Sequence, residues 1–412
     1  MESFSWCVNV ALNQAGERVR EKILAISLDT TGSTPCPVNR DGTPLALLPE
    51  FRENPNAMFH LWKDHTAIEE AVEINRILKS FNNINYTRYQ GIYSSEWYWA
   101  KILRTTRIDK EIREGACSWV EHCDWMLGVL CGNTNPETLE RTACAAGHKA
   151  LWHSAWGGLP DRRCFVQMNE SLGAIYDTFV KKPVPAGEKI GTITAEWANR
   201  LGIPKDTVVG AGSFDAHAGA VGAGIRKHVM VTNIGTSTVD MLIEDAENLE
   251  GKDLTSICGL AENSIIPGYV GVETSQAAFG DVYAWFNNLL LWPIKNVISQ
   301  TETITKGERG RLIRQTSERM LGELARQAEA LEITDGLISL DWFNGRRYPD
   351  INENIRSAIW GLNLGTDAPA IYQSLVMATV FGQKKIIDSL LSREFRIDEM
   401  IAVGESPRSR PM

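Results

Sequence analysis

One acid and one glycine turn, about twenty residues apart, are the groups in this chain best equipped for chemistry. Asp215 closes the run Val208-Val209-Gly210-Ala211-Gly212-Ser213-Phe214 and opens the small-residue stretch Ala216-His217-Ala218-Gly219. The pattern predicts a short apolar strand, a tight turn, an acid at the strand end, and a slim helix that another backbone or a ligand can approach. A carboxylate so placed can take the proton of an attacking hydroxyl. Gly235-Thr236-Ser237 ends the expected strand Val231-Thr232-Asn233-Ile234 and precedes a returning strand over 239–243. Bare backbone N–H groups and flanking hydroxyls make such a turn a nest for phosphate. A base for a hydroxyl and a cradle for phosphate are what a small-molecule kinase needs.

Each feature also has a plain structural reading. Asp215 suits a helix N-cap, Gly235-Thr236-Ser237 an ordinary hairpin turn, and His217 a packing or hydrogen-bonding role. Lys149 sits in Ala143-Cys144-Ala145-Ala146-Gly147-His148-Lys149-Ala150, with Trp152 and Trp156 beyond. Small neighbours there suggest a tight wall with one inward cation. Trp62-Lys63-Asp64-His65 pairs a flat apolar face with polar groups, as sugar sites do, or starts a helix with Asp64 in its first turn. Glu273 reads as an acid at a strand-to-helix turn, either a sugar ligand or a helix N-terminal acid. Glu121-His122-Cys123-Asp124 resembles a metal site, but four successive helical residues cannot converge on one ion. No H-E-x-x-H, Walker A, G-x-G-x-x-G or G-x-S-x-G sequence occurs.

The elements that must position these groups span 412 residues, enough for two or three domains. A formal charge of −9 argues against nucleic acid and against an anionic membrane surface as partners. The eight cysteines form no C-x-x-C pair, which predicts reduced thiols and a cytoplasmic protein. Helical character over 3–21 breaks at Gly16, and the apolar run 23–28 predicts a buried strand. Residues 66–128 have helical periodicity with many aromatics. Helices are expected near 276–291 and 311–331, and strands at 336–340 and 401–404. Pro204 marks the expected domain boundary, giving 1–204 and 205–412.

The chain resembles the FGGY carbohydrate kinases, and among them the branch that phosphorylates L-ribulose. The resemblance is carried by Asp29-Thr30-Thr31-Gly32-Ser33-Thr34-Pro35, by the run from Asn54 to Thr66, and by Gly91-Ile92-Tyr93-Ser94-Ser95-Glu96-Trp97. Ala146-Gly147-His148-Lys149, Phe214-Asp215, Ile234-Gly235-Thr236-Ser237-Thr238, the run from Ala278 to Phe286 and the run from Asp341 to Arg347 carry it further. It implies an α/β fold of the ribonuclease-H-like, actin-type class, two domains facing each other across a cleft. A sugar-binding N-terminal domain and a nucleotide-binding C-terminal domain are implied. The implied reaction joins ATP and L-ribulose to give ADP and L-ribulose 5-phosphate, in L-arabinose catabolism. Asp215 is then the catalytic base. Cys36, Trp62, Asp64, Lys149 and Glu273 contact the sugar. Gly235, Thr236, Ser237 and Gly280 contact the nucleotide, with Mg²⁺ on its phosphates and no protein-held metal otherwise. The family begins with a strand and a phosphate loop, and ends beyond a Gly-Gly loop. Here the first and last sheet elements are expected to be missing, residues 405–412 not continuing the last motif. The alternative expectation is a catalytically dead remnant that binds sugar or a partner. A homo-oligomer fits either reading.

Overall fold

The computed structural model describes residues 1–179, 181–254, 257–298, 304–333, 336–348 and 351–404. The tail 405–412 lies outside the described residues. The chain forms two compact units, Met1–Val229 with Met241–Glu273, and Met230–Asp240 with Thr274–Met412. The chain thus passes between units more than once, unlike a single cut at Pro204. Strand Val208–Gly210, just past that proline, pairs inside the first unit.

In the first unit, Ala25–Ile26 runs parallel to Val208–Gly210, with Lys189–Thr192 antiparallel on its other edge. Asp29–Thr30 runs parallel to Ser213–Phe214, Asp29 opposite Ser213. Of the run 23–28 only Ala25–Ile26 is strand, the next strand starting beyond it at Asp29, and the run is not the buried strand expected, since Leu24, Ala25 and Ser27 are exposed. Ser27 Oγ and the Gly187 N–H both donate to the Ala211 carbonyl, which takes it out of the ladder between them. Pro35–Val38 and Ser118–Glu121 form an antiparallel pair. Helices Ile68–Leu78 and Tyr98–Ile108 bury an aromatic core around Trp99, Tyr98, Trp119 and Phe165. In Ile68–Leu78 the buried apolar residues Ala71, Ile74, Ile77 and Leu78 follow the helical period. Helix Ala143–Lys149 is buried throughout and packs on strand Gly259–Glu262.

In the second unit, Val229–Ile234 lies beside Glu399–Gly404 and is joined to Thr238–Glu244 by the 235–237 turn. The helix expected from 276 starts later, at Gly280, because strand Val270–Gln276 continues and the Gln276 N–H bonds Thr238 Oγ1. The charged helix is Lys306–Ala328, five residues earlier than the charge pattern suggests. Thr305 and Glu308 cap it reciprocally. It packs with Gly280–Leu290 and Ala368–Ser392 around Val282, Phe286, Leu324 and Leu375.

Candidate active site

Lys149 ends its helix, where a cation suits the C-terminal dipole. Its Nζ donates to Glu273 Oε1 at 2.7 Å and lies 4.9 Å from the centre of the Trp97 ring. Both Lys149 and Glu273 are 5% exposed, so this is a buried ion pair. Burial pushes the Glu273 carboxyl up, but Lys149, with His148 and His217, outweighs it and holds the group at about 2. Glu273 is not at a turn. It lies within strand Val270–Gln276, buried along its whole length, opposite Gly259. Helix Ala143–Lys149 reaches that hairpin because its inner residues are small. A Cβ on Gly147 would come within 2.5 Å of the Ala261 Cβ.

Asp215 is the first residue of helix Asp215–Gly222, not its N-cap, which is Phe214. Its Oδ1 accepts the Ala216 N–H at 2.7 Å, and the residue is exposed. Partial desolvation and then the like charge of Asp29 raise its pKa. A raised, accessible carboxyl at a strand end is a serviceable proton acceptor. Asp29, exposed on the paired strand, is a hard oxygen donor beside it.

Trp62 and Asp64 are half-buried in a loop before helix Ile68–Leu78, so Asp64 does not open that helix. Asp64 Oδ1 accepts the Thr66 N–H at 2.9 Å. Desolvation raises its carboxyl, yet the Thr66 hydrogen bonds and the Lys101 charge bring it below the usual range. Lys101 was invisible to motif reasoning. Buried on helix Tyr98–Ile108, it donates to the carbonyls of Ser33 and Leu61, both at 2.8 Å, and reaches that of Trp62 at 3.4 Å. Glu121 completes the anchor from the end of a strand. It accepts from the Thr34 N–H at 2.8 Å and from Ser33 Oγ. Burial raises Glu121 to about 7 and lowers Lys101 to about 8. Cys36 is fully buried on strand Pro35–Val38 among Val38, Val120 and Leu139, where burial raises its thiol. Any contribution from position 36 to a ligand falls to the backbone around it.

In the second unit, Gly235 and Thr236 are exposed and Ser237 is half-buried. The turn is closed by the Gly235 N–H on the Ser237 carbonyl at 2.9 Å. The N–H groups of Phe279, Gly280 and Asp281 donate to the Gly235 and Thr236 carbonyls. These bonds satisfy the start of helix Gly280–Leu290 and fix the turn.

Residues 230–411 match the model of the C-terminal domain of the FGGY family of carbohydrate kinases. The chain is 38% identical to a ribulokinase of Vibrio parahaemolyticus over 100% of its own length and 72% of the relative's. The chain belongs to the FGGY family of carbohydrate kinases. A ribulokinase of Anoxybacillus flavithermus is 31% identical over 100% of the chain, which spans 69% of that relative. The FGGY chain also shares its fold with solved sugar kinases at 16% identity. A xyloylose kinase from Brucella ovis matches with a TM-score of 0.69 over 92% of this chain and 68% of that one. The ligand-bound xylulose kinase of Lactobacillus acidophilus matches with a TM-score of 0.68 over 99% and 72%. The chain shares the fold of these sugar kinases, and the α/β class expected from the sequence holds. As a member of the family, the chain is an ATP-dependent sugar kinase. Among the described residues, no helix is long and apolar enough to cross a membrane.

Proposed function

We propose that this FGGY kinase phosphorylates L-ribulose to L-ribulose 5-phosphate with Mg²⁺ and ATP, in L-arabinose catabolism. The observation that carries the reading is the buried Lys149–Glu273 pair over Trp97. A paired cation and anion beside an indole offer a donor, an acceptor and a flat apolar face to a polyhydroxylated ligand. The names of the 38% and 31% identical relatives, both ribulokinases, support ribulose as that ligand. Trp62, Asp64 and the backbone around Cys36 form the rest of the sugar wall, held together by Lys101.

Asp215 takes the proton of the terminal hydroxyl as its oxygen bonds to the γ-phosphorus. The bond from that phosphorus to the bridging oxygen breaks, and ADP leaves. Gly235, Thr236 and Ser237 cradle the phosphates, and Gly280 lies against the same turn. Magnesium, a hard cation that takes oxygen ligands, neutralises phosphate charge when bound. The Asp29 carboxylate beside Asp215 has the chemistry to hold it. A net charge of −9 favours small-molecule partners over nucleic acid or anionic membrane, in the cytoplasm.

The test is titration of the full chain with L-ribulose, D-ribulose and L-xylulose, before and after Lys149→Met. L-Ribulose is expected to bind tightest, and Lys149→Met to weaken it by about tenfold or more, as loss of a charged hydrogen bond does. The same variant is expected to leave ATP affinity unchanged. Weakening of ATP alone, or no preference among the sugars, would defeat the reading.

A further inference from the structure

Helix Ala143–Lys149 carries a second group besides its terminal lysine. Near its start, Cys144 Sγ accepts the Phe214 N–H at 3.5 Å. Phe214 is the N-cap of helix Asp215–Gly222, so this bond falls on the residue next to the Asp215 carboxylate. Cys144 is 0% exposed and Phe214 3%, in one cluster with Cys123 and Ala145. Burial raises the Cys144 thiol far above its usual range, so the sulfur stays a neutral thiol and a weak acceptor. The Phe214 ring is confined as well. A Cβ at Gly32 would come within 1.9 Å of that ring, so the bare glycine after Asp29 leaves the ring its place.

The same helix is keyed to the sugar-binding hairpin. Lys149 Nζ holds Glu273 Oε1 at 2.7 Å, and Gly147 lies against Ala261 on strand Gly259–Glu262, which pairs with the strand of Glu273. Cys144 and Lys149 are five residues apart on this helix, about 7.5 Å along its axis at 1.5 Å per residue. One short rigid element therefore touches the residue before the proton acceptor and the ion pair that faces the sugar.

We infer that Cys144 is a positioning residue for Asp215: its sulfur holds the Phe214 N–H and so fixes where the carboxylate stands relative to the Lys149–Glu273 pair. The inference rests on the reading of Asp215 as proton acceptor given above. A general base must stand within about 3 Å of the proton it takes. Asp215 Oδ1 accepts from the adjacent Ala216 N–H, a local bond that moves with the backbone. The backbone must be placed from outside its own helix, and Cys144 supplies that hold.

A buried cysteine also serves as a small apolar filler. The two roles rank substitutions in opposite order. Cys144→Val fills the space and removes the acceptor, whereas Cys144→Ser keeps an acceptor and leaves a gap. In the full chain, Cys144→Ser is expected to turn over L-ribulose within about threefold of the wild type. Cys144→Val is expected to fall about tenfold, the effect of a base displaced by a fraction of an ångström. Cys144→Ala, which lacks the acceptor as well, is expected to fall with it and carries the comparison if the valine variant does not fold. The L-ribulose Kd is expected to stay within about twofold throughout, because the Lys149–Glu273 bond is untouched. Melting temperature is expected to rank the other way, with valine above serine. Deuterium exchange at the Phe214 amide reads the bond itself, and is expected to quicken about tenfold in Cys144→Val and less than about threefold in Cys144→Ser, as loss of one hydrogen bond does.

Turnover that follows melting temperature, a valine variant as active as the serine one, or Phe214 exchange alike in both would overturn the inference. If Asp215→Asn turns over normally, the base reading fails, while the exchange rates still judge the Cys144 bond. If Asp215→Asn is slow but the Cys144 variants turn over alike, the positioning role alone fails.

Discussion

Lys101 Nζ lies 2.8 Å from the carbonyl oxygen of Ser33, a residue 68 positions earlier in the chain. The same ammonium holds the carbonyls of Leu61 and Trp62. One buried cation thus ties the glycine-containing turn after Asp29 to the loop that carries Trp62 and Asp64. Lys101→Met removes the cation and leaves three carbonyls and the nearby Glu121 to readjust. Truncating one member of a buried charged network costs about 2–4 kcal/mol of unfolding free energy. Denaturant titration of the full chain checks this. A loss below about 0.5 kcal/mol, the range of ordinary surface substitutions, would mean that the loops hold without the cation.

Asp215→Asn keeps the shape and removes the proton acceptor. Turnover of L-ribulose is expected to fall by about 10² or more, the range of general base catalysis. Sugar affinity is expected to stay within several-fold, because Asp215 is exposed and the buried Lys149–Glu273 pair is untouched. Rapid-quench turnover measured beside calorimetric sugar binding separates the two. Near-normal turnover would remove Asp215 from the role.

The contrast between Asp215 and Lys101 shows what a sequence can reveal. Asp215 follows an apolar strand and precedes small residues, a local signal that motif reading captures. Strands 229–234 and 238–244 were legible for the same reason, since hydrophobic runs bracket a glycine turn. Lys101 sits in an amphipathic helix among aromatics, where a lysine ordinarily faces water. Its burial follows from carbonyls supplied by residues 33, 61 and 62, which no local pattern connects. His148 and His217 are alike in this respect. Each looks like a packing residue until strand Val270–Gln276 brings Glu273 between them. The break between strands Ala25–Ile26 and Asp29–Thr30 was hidden too, because it depends on which groups claim the Ala211 carbonyl.

His217 makes folding stability depend on pH with a definite sign. Its folded-state value is about 4, lowered by burial from 6.5. Between those values the unfolded chain binds a proton that the folded chain does not, so stability falls as pH drops. Asp124 and Asp240, both raised by burial to about 6, act in the opposite sense and mask the trend in the wild type. The difference from His217→Gln isolates it. From pH 6.5 to 4 the wild type is expected to lose stability relative to the variant by on the order of 3 kcal/mol, at 1.36 kcal/mol per unit. Urea titrations at half-unit steps give the difference. Parallel curves would show that His217 is charged in the folded protein.

The last prediction concerns the turn that would cradle the nucleotide phosphates. The Gly280 N–H donates to the Gly235 carbonyl at 3.0 Å. A Cβ at 280 would fall on that same carbonyl oxygen, so the helix start and the turn can meet only without a side chain there. Gly280→Ala forces one of them to move by a fraction of an ångström or more. Helix propensity favours alanine in the helix interior by about 1 kcal/mol, so the helix itself will form. The displacement therefore goes into the Gly235-Thr236-Ser237 turn. Positioning is most of what phosphoryl transfer asks of a protein, and a misplacement of 1 Å can cost about 10² in rate. Gly280→Ala is expected to weaken ATP binding by about tenfold, as loss of a hydrogen bond or two does. L-Ribulose affinity is expected to stay unchanged, since Lys149 and Glu273 belong to the other unit. Parallel calorimetry with ATP and L-ribulose decides it. Weakened sugar binding with intact ATP binding would place the nucleotide elsewhere.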